Sequence, residues 1–214
     1  MDTLVIIGAG GHGRVVADCA QQLGTYSKII FLDDCYKDRK TTGNWQIVGS
    51  VNSFFQYIEN AHFIVAIGSN TSRMQIVEQL NSANAKIISL AHPSAAISPH
   101  THIGIGVIIC ANATINIGTR IADGCIINTG ATVDHDCQID KFVHISPGVN
   151  IAGGVNIGKL SWLGIGSTVI ECLTIANNTQ IGAGGVITQS TQANSLYLGV
   201  PAKRIRALTN ILQD

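Results

Sequence analysis

The sequence predicts two domains of different fold class, a small α/β domain followed by a longer all-β domain. In residues 1–90, short apolar segments alternate with segments of helical periodicity, which is typical of a parallel sheet covered by helices. From Ile97 to about Thr191, an aliphatic residue recurs at every sixth position without a break. A period held over this length indicates a repeat architecture. We therefore predict an N-terminal domain over residues 1–90 and a repeat domain over residues 91–214.

The repeat unit has six residues and fits a triangular coil. Each unit begins with Ile, Leu or Val, and its fifth residue is mostly small, as in Ala113, Thr119 and Cys125. Strand side chains alternate between two faces, so the first and fifth residues both point inward. Three units close one coil of a prism, and coils stack about 4.8 Å apart. The sequence thus predicts a left-handed parallel β-helix; the alternative, a β-sandwich, does not keep a fixed turn period.

Composition excludes several classes of partner and site. The formal net charge is zero and charged residues make up 12% of the chain, so nucleic acid and anionic membranes are not expected as partners. No apolar run approaches the eighteen or so residues of a membrane span. The chain starts directly with a strand and shows no cleavable signal, so we expect a cytoplasmic protein. The six cysteines form no CxxC pair and are expected to be reduced thiols.

The N-terminal pattern alternates strands and helices. Residues 35–60 are less regular, with a short helix predicted from Val51 to Tyr57, and Thr71 is expected to cap a helix that runs to about Leu80. At the C-terminus we predict a last strand from Leu196 to Val200 and a short helix from Arg204 to Leu212. The predicted strands of the first domain are Thr3–Ile7, Ile29–Leu32, Phe63–Ile67 and Lys86–Leu90.

A glycine-rich loop follows the first strand. Gly8, Gly10 and Gly13 form GxGxxG between a strand and a helix, and Asp33 ends the second strand, so the pattern is a Rossmann fingerprint. A domain of about ninety residues holds only one mononucleotide half-site, which suits a nucleoside diphosphate whose phosphates meet the helix N-terminus. The alternative is that the glycines serve only a tight turn. The candidate contacts are Gly10, Gly11, His12, Asp33 and Asp34.

His135 is the strongest candidate for a catalytic base. It is the third residue of its unit and points out of the prism, and Asp136 follows it. Adding one coil of eighteen residues gives Gly153, which should offer a backbone N–H on the same face. Acyl transfer needs both a base and a donor to the oxyanion; the alternative is a surface histidine in a packed trimer interface.

A metal site and a covalent intermediate are not expected. A zinc site of the three-histidine type needs a third ligand, but only His135 and His144 fall in the central coils. Cys137, the one candidate nucleophile beside His135, is predicted to point inward. We therefore expect direct transfer without an acetyl-enzyme.

The whole chain resembles the PglD/NeuD group of sugar acetyltransferases, which carry the repeat of the hexapeptide acyltransferases. The segments that carry the resemblance are GAGGHG (8–13), FLDD (31–34), AIGSN (66–70), ISPHTHIG at the prism start, INTGATVDHDCQIDKFVHISPG (127–148), IAGGVNIG and LGVPAKR (198–204).

This resemblance implies a UDP-sugar on the N-terminal domain, acetyl-CoA on the prism, and a homotrimer with active sites between neighbouring prisms. It also implies His135 as general base, with Asp136 where the family usually has Glu. For the acetyl donor it implies His144 near the acetyl group, Gly153 at the thioester carbonyl, Ala183 and Gly184 along the pantetheine, and Lys203 and Arg204 at the CoA phosphates. For the nucleotide sugar it implies Gly68, Asn70 and Asn128.

The function expected from this resemblance is acetylation of the 4-amino group of a UDP-linked 4-amino-4,6-dideoxy sugar of the bacillosamine type, for bacterial glycan biosynthesis. Two alternatives remain. One is O-acetylation of sialic acid or a related sugar by the same machinery. The other is a non-catalytic scaffold that binds a nucleotide sugar.

Overall fold

The computed structural model describes residues 3–208. These residues form two compact units that divide between Pro93 and Ser94, three residues after the boundary expected from the sequence.

The first unit is an α/β sheet of six short strands. The elements are β1 (Thr3–Ile7), α1 (Gly11–Leu23), β2 (Lys28–Leu32), β3 (Thr41–Thr42), β4 (Trp45–Gly49), β5 (Ala61–Val65), α2 (Asn70–Ser82) and β6 (Lys86–Ile87), followed by β7 (Leu90–Ala91). The strands of the sheet run in the order β3-β4-β2-β1-β5-β6, and every neighbouring pair is parallel except the edge hairpin β3–β4. Two 3₁₀ helices cover Asp34–Lys37 and Val51–Tyr57.

The core of this unit follows from its apolar strands. Leu4 to Ile7 are fully buried, as expected for a central parallel strand with both faces covered. The second helix begins earlier than predicted, because the Ser69 side chain, and not Thr71, accepts the capping hydrogen bond from the N–H of Ser72. No helix within residues 3–208 is both long and apolar enough to cross a bilayer.

The second unit is the predicted left-handed parallel β-helix. Its two-residue strands stack into three parallel sheets, which we call the first, second and third faces in chain order. The first face holds β8 (Ala96–Ile97), β11 (Thr114–Ile115), β14 (Thr132–Val133), β17 (Asn150–Ile151), β20 (Thr168–Val169) and β23 (Val186–Ile187). The second face holds β9 (His102–Ile103), β12 (Arg120–Ile121), β15 (Gln138–Ile139), β18 (Asn156–Ile157) and β21 (Thr174–Ile175). The third face holds β10 (Ile108–Ile109), β13 (Ile126–Ile127), β16 (His144–Ile145), β19 (Trp162–Leu163), β22 (Thr179–Ile181), β24 (Ser195–Gly199) and β25 (Ala202–Ala207).

The register confirms the eighteen-residue coil. On the first face, Ile115 pairs with Val133, and Val133 pairs with Ile151. The first residue of each unit is buried from Ile109 onward, whereas Ile97 in the first coil is half-buried. Stacked aliphatic side chains therefore fill the tube, and their burial is the main stabilising contribution.

The turns between faces stack into three corners. The first corner joins the first and second faces and contains residues 99–100, 117–118, 135–136, 153–154 and 171–172. The third corner joins the third and first faces and contains residues 111–112, 129–130, 147–148, 165–166 and 183–184. The fourth residue of a unit commonly has a positive φ, as in Asp136 (58°) and Gly184 (66°).

The C-terminal end is a hairpin, not a strand followed by a helix. β24 confirms the predicted last strand, but β25 runs antiparallel to it over Ala202–Ala207. The predicted helix is therefore wrong from Arg204 to Ala207, and the rest of that prediction lies at and beyond Leu208, where only Leu208 itself is described. Pairing with the exposed edge of β24 satisfies backbone groups that a short exposed helix would leave to water.

Candidate active site

Asp33 organises the glycine-rich turn of the first unit. Its Oδ2 accepts a hydrogen bond from the N–H of Ala9 at 2.7 Å, and its Oδ1 accepts one from the N–H of Cys35 at 2.9 Å. Partial burial raises the pKa of Asp33, whereas these hydrogen bonds and the nearby Arg39 lower it. The lowering effects are the larger, so the pKa of Asp33 lies below its ordinary value. Asp33 thus joins the loop to the end of β2. Asp34 accepts from the N–H of Val51 at 3.0 Å.

The N-terminus of α1 is open to solvent. Gly10 precedes the helix and Gly11 begins it, and a Cβ added at either position would meet no atom within 4 Å. Gly13 differs, because a Cβ there would collide with the carbonyl oxygen of Gly8. The motif therefore combines one glycine needed for close packing with two that leave the N-terminus of the helix accessible to an anion.

A buried arginine was missed by the sequence analysis. Arg73 on α2 is fully buried and donates hydrogen bonds to the carbonyl oxygen of Ile67 at 2.8 Å, to that of Gly68 at 3.2 Å and to Oδ1 of Asn70 at 2.7 Å. Burial, together with the charge of Arg73, lowers the pKa of His12 to about 4. Arg73 thus holds Gly68 and Asn70 by hydrogen bonds and acts on His12 through its charge. No motif in the sequence signals this residue, because two of these three acceptors are backbone carbonyl oxygens.

His135 and Asp136 form a hydrogen-bonded pair on the first corner. Nδ1 of His135 lies 2.9 Å from Oδ2 of Asp136. The carboxylate accepts a hydrogen bond from Nδ1 when that nitrogen carries the ring proton. Nε2 is then unprotonated and can accept a proton. The hydrogen bond with Asp136 and the charge of Asp134 raise the pKa of His135 above its ordinary value. Gly118 lies beneath the pair, since a Cβ added there would meet Oδ1 of Asp136.

Gly153 lies one coil above His135, as predicted. A Cβ added at Gly153 would stand 2.5 Å from both Cε1 and Nε2 of His135, so the imidazole ring rests on the glycine. The N–H of Gly154 donates to the carbonyl oxygen of His135 at 2.9 Å, and that of Ala152 donates to Val169 at 3.0 Å. For the N–H of Gly153, no acceptor is present among residues 3–208. Gly153 is buried under the ring, and its role as a donor to a thioester stays a prediction.

His144 lies on the third face in a stacked arrangement. Its ring is parallel to that of Trp162, with an interplanar angle of 3° and a centroid separation of 5.5 Å. Nε2 of His144 lies 3.3 Å from Nδ2 of Asn128, and Nε1 of Trp162 donates to Oγ of Ser146 at 2.9 Å. Trp162 was not singled out in the sequence; its position one coil above His144 is the signal that could have found it.

The remaining predicted residues lie on two other parts of the second unit. Ala183 and Gly184 are exposed on the third corner, one coil above the exposed Ile165. Lys203 and Arg204 lie on β25 and line a depression of about 250 Å³, and Nε of Arg204 donates to Oγ of Ser195 at 2.8 Å. A larger groove of about 600 Å³ runs along the second face and contains none of the predicted site residues.

A single chain does not bring all these residues together. His135, Asp136 and Gly153 occupy the first corner, which borders the first and second faces. His144 and Asn128 lie on the third face, which that corner does not border. The candidate base and the candidate donor contacts are therefore on different sides of one prism.

The cysteines of the repeat and the candidate metal ligands were also located within residues 3–208. Cys125 and Cys137 are fully buried, as predicted, and burial raises the pKa of the Cys137 thiol. Among residues 3–208, no three His, Cys, Asp or Glu side chains are grouped so that they could hold a metal ion.

Comparison with known proteins agrees with this architecture. The family model of the PglD N-terminal domain matches residues 3–80. GDP-perosamine N-acetyltransferase from Escherichia coli O157:H7 is 30% identical over 206 residues, which covers 93% of this chain and 84% of the relative. UDP-N-acetylbacillosamine N-acetyltransferase from Bacillus subtilis (strain 168) is 33% identical over 113 residues, or 52% of each chain.

Two solved structures are similar over nearly their whole length. The acetyltransferase domain of PglB from Neisseria gonorrhoeae FA1090, in complex with acetyl coenzyme A, is 39% identical, with a TM-score of 0.93, and the match covers 95% of this chain and 99% of that one. PerB from Caulobacter crescentus, in complex with CoA and GDP-perosamine, is 34% identical, with a TM-score of 0.91 over 95% and 97% of the two chains. The repeat, the fold and a relative that spans most of both chains lead to one conclusion: this chain belongs to the PglD/NeuD group of sugar acetyltransferases in the hexapeptide-repeat acyltransferase superfamily.

Proposed function

We propose that this protein transfers the acetyl group of acetyl-CoA to the 4-amino group of a nucleotide-linked 4-amino-4,6-dideoxy sugar, with His135 as general base. The observation that carries the proposal is the His135–Asp136 pair, held at 2.9 Å on an exposed corner with its ring against Gly153. Similarity to amino-sugar N-acetyltransferases over most of both chains supports the reaction class.

The chemistry requires one base and one oxyanion donor. The acceptor amine attacks the thioester carbonyl carbon, a C–N bond forms, and the C–S bond breaks to release CoA as a thiol. His135 Nε2 takes the proton that the attacking nitrogen loses and returns one to the leaving sulfur. Asp136 stabilises the imidazolium that forms in between. The N–H of Gly153 is proposed to stabilise the oxyanion.

The first unit is proposed to hold the nucleotide diphosphate. The open N-terminus of α1 at Gly10 and Gly11 supports binding of the phosphates. A neutral His12, with its pKa lowered to about 4, suits a hydrogen bond to phosphate or sugar rather than a charge contact. In this assignment Asp33 holds the loop, and Asp34 is the more exposed carboxylate for the ribose or base.

The split arrangement of His135 and His144 supports a homotrimer whose active sites combine residues from two copies. Co-expression of His135→Ala and His144→Ala chains tests this. If each site takes one residue from each of two neighbouring copies, random assembly restores intact sites at roughly a quarter of the interfaces. Activity near zero in the mixed protein, with trimers still formed, would refute the shared site.

Acceptor choice is tested by release of CoA thiol with three acceptors. The first is UDP-4-amino-4,6-dideoxy-N-acetylhexosamine, which the family resemblance favours. The second is GDP-perosamine, because the alignment with a GDP-perosamine N-acetyltransferase covers 93% of this chain. The third is sialic acid, free and CMP-linked. Turnover with an amino sugar and a product bearing an N-acetyl group supports the proposal, and turnover with sialic acid alone would replace it with O-acetylation.

A further inference from the structure

Three side chains occupy equivalent turns of the prism. Asn128, Asp134 and Asp140 are each the second residue of a six-residue unit. Each accepts, through Oδ1, a hydrogen bond from the N–H of the next residue, at 2.8, 2.8 and 2.7 Å respectively. This contact is typical of Asn and Asp in turns, so by itself it indicates only a role in the fold.

Asp134 differs from Asp140 in the residue that lies one coil below it. Nδ2 of Asn116, one coil down, donates to the same Oδ1 of Asp134 at 2.7 Å. The residue one coil below Asp140 is Ala122, which has no side-chain donor. Of these two acids, only Asp134, which precedes His135, therefore has this clamp from the coil below.

The clamp adds to two contacts that the Asp134 and Asp140 turns share. Thr119 Oγ1 donates from inside the prism to the carbonyl oxygen of Asp134 at 2.6 Å. Cys125 Sγ makes the same contact with the carbonyl oxygen of Asp140 at 3.0 Å. Both turns thus have an interior support and a capping contact, and the hydrogen bond from Asn116 is additional.

We propose that Asp134, clamped by Asn116, is a positioning residue that fixes the backbone of His135 and adds a second carboxylate charge beside its ring. This inference rests on the proposed role of His135 as the base. Asp136 fixes the ring through Nδ1, and Asp134 fixes the N–H at the other end of the same residue. Two carboxylates on either side of the histidine together favour the protonated ring that forms during transfer.

Asp134 and Asp136 are the charged groups nearest to the His135 ring within residues 3–208. The hydrogen bond from Asn116 lowers the pKa of Asp134, so this carboxylate stays ionised over the working range. One coil below, the corner carries Ile117 and Gly118, and one coil above it carries Gly153 and Gly154. Within the chain, the next titratable groups on this corner are two coils away: His100 below, and Glu171 and Cys172 above.

The first experiment compares Asp134→Asn with Asp140→Asn. Asn at 134 keeps an oxygen that accepts from the His135 N–H but removes the charge. The pKa of His135 should fall, so the ascending limb of the pH profile of kcat/KM should move to lower pH. Asp140→Asn removes a charge from a matching turn that has no histidine, and its profile should match that of the wild type.

The second experiment removes the clamp and keeps the charge. Asn116→Ala should lower kcat by roughly 3- to 10-fold, because the His135 turn loses one of its supports, and should leave the KM for acetyl-CoA unchanged. A profile that does not move in Asp134→Asn, or moves equally in Asp140→Asn, or an unchanged kcat in Asn116→Ala, would overturn the inference. His135→Ala in the same assay separates this inference from the proposed function. Full activity of His135→Ala would show that His135 is not the base.

Discussion

Gly153→Ala is the substitution whose consequence follows most directly from the geometry. The new Cβ would stand 2.5 Å from Cε1 and Nε2 of His135 and 3.0 Å from Cδ2. Carbon atoms in ordinary contact are about 3.5 Å apart or more, so the ring must retreat by about 1 Å. The backbone of Gly153 has no positive φ, so alanine introduces no backbone strain.

The expected loss is catalytic rather than structural. The His135 side chain is 56% exposed, so the ring can swing outward without disturbing the prism. A displacement of about 1 Å at a reacting group costs on the order of 10²-fold in rate, or about 2.7 kcal/mol in activation free energy. We therefore expect kcat to fall about 100-fold while the midpoint of thermal unfolding stays close to that of the wild type.

The assay is thiol release from acetyl-CoA, measured for both single variants and the double variant. In the His135→Ala background the clash is absent, so Gly153→Ala should cause no further loss. An NMR titration gives a second readout: the retreating ring weakens its hydrogen bond to Asp136, so the pKa of His135 should fall. Wild-type kcat in Gly153→Ala, or an equal loss in the absence of His135, would refute the reasoning.

Three further predictions concern other parts of the chain. His12→Asn should reduce the loss of unfolding free energy that occurs as the pH falls. A histidine with a folded pKa of about 4 and an unfolded pKa of about 6.5 lowers stability as the pH falls between those values, by up to about 3 kcal/mol. Asp33→Ala should cost about 2 kcal/mol of unfolding free energy in denaturant titrations, because two backbone N–H groups lose a charged acceptor. Trp162→Leu should raise the KM for acetyl-CoA several-fold with little change in kcat, because it removes the stack on His144.

Each of these predictions has a control and a contrary result. For His12→Asn, unfolding at pH 8 is the control, and an unaltered slope below pH 6.5 would contradict the prediction. Asp33→Asn retains one acceptor oxygen and should be milder than Asp33→Ala; equal stability of both variants and the wild type would contradict the bridging role. Trp162→Phe keeps a stacking ring and should restore the KM, whereas a loss in kcat alone would assign His144 a different role.

The prism was predictable because its repeat is a local rule. An inward aliphatic every sixth residue fixes the coil at eighteen residues, and that number alone places Gly153 above His135. The register of the strands confirms both points.

Other features depend on contacts that no local pattern encodes. Arg73 is held by the carbonyl oxygens of Ile67 and Gly68, which any sequence provides. β25 contains residues that also suit a helix, but the free edge of β24 pairs with it, so tertiary context outweighs propensity. The hairpin β3–β4 has strands too short and mixed to show a period.

The pairing of Asp136 with His135 could be expected only in outline. Aspartate is one methylene shorter than the glutamate usual in the family, yet it reaches Nδ1 at 2.9 Å. Its backbone adopts a φ of 58°, and Gly118 below leaves room for the carboxylate. The short side chain is thus accommodated by the turn and by a glycine in the preceding coil.

The most direct test of the central claim is the pH-dependent rate of acetyl transfer to the accepted amino sugar by wild type and His135→Ala, each shown to bind acetyl-CoA with equal affinity. If His135 is the base, the variant loses about 10² to 10⁴ in kcat and the pH dependence assigned to the histidine disappears. A variant that binds acetyl-CoA normally and keeps both the rate and the pH profile of the wild type would contradict the account.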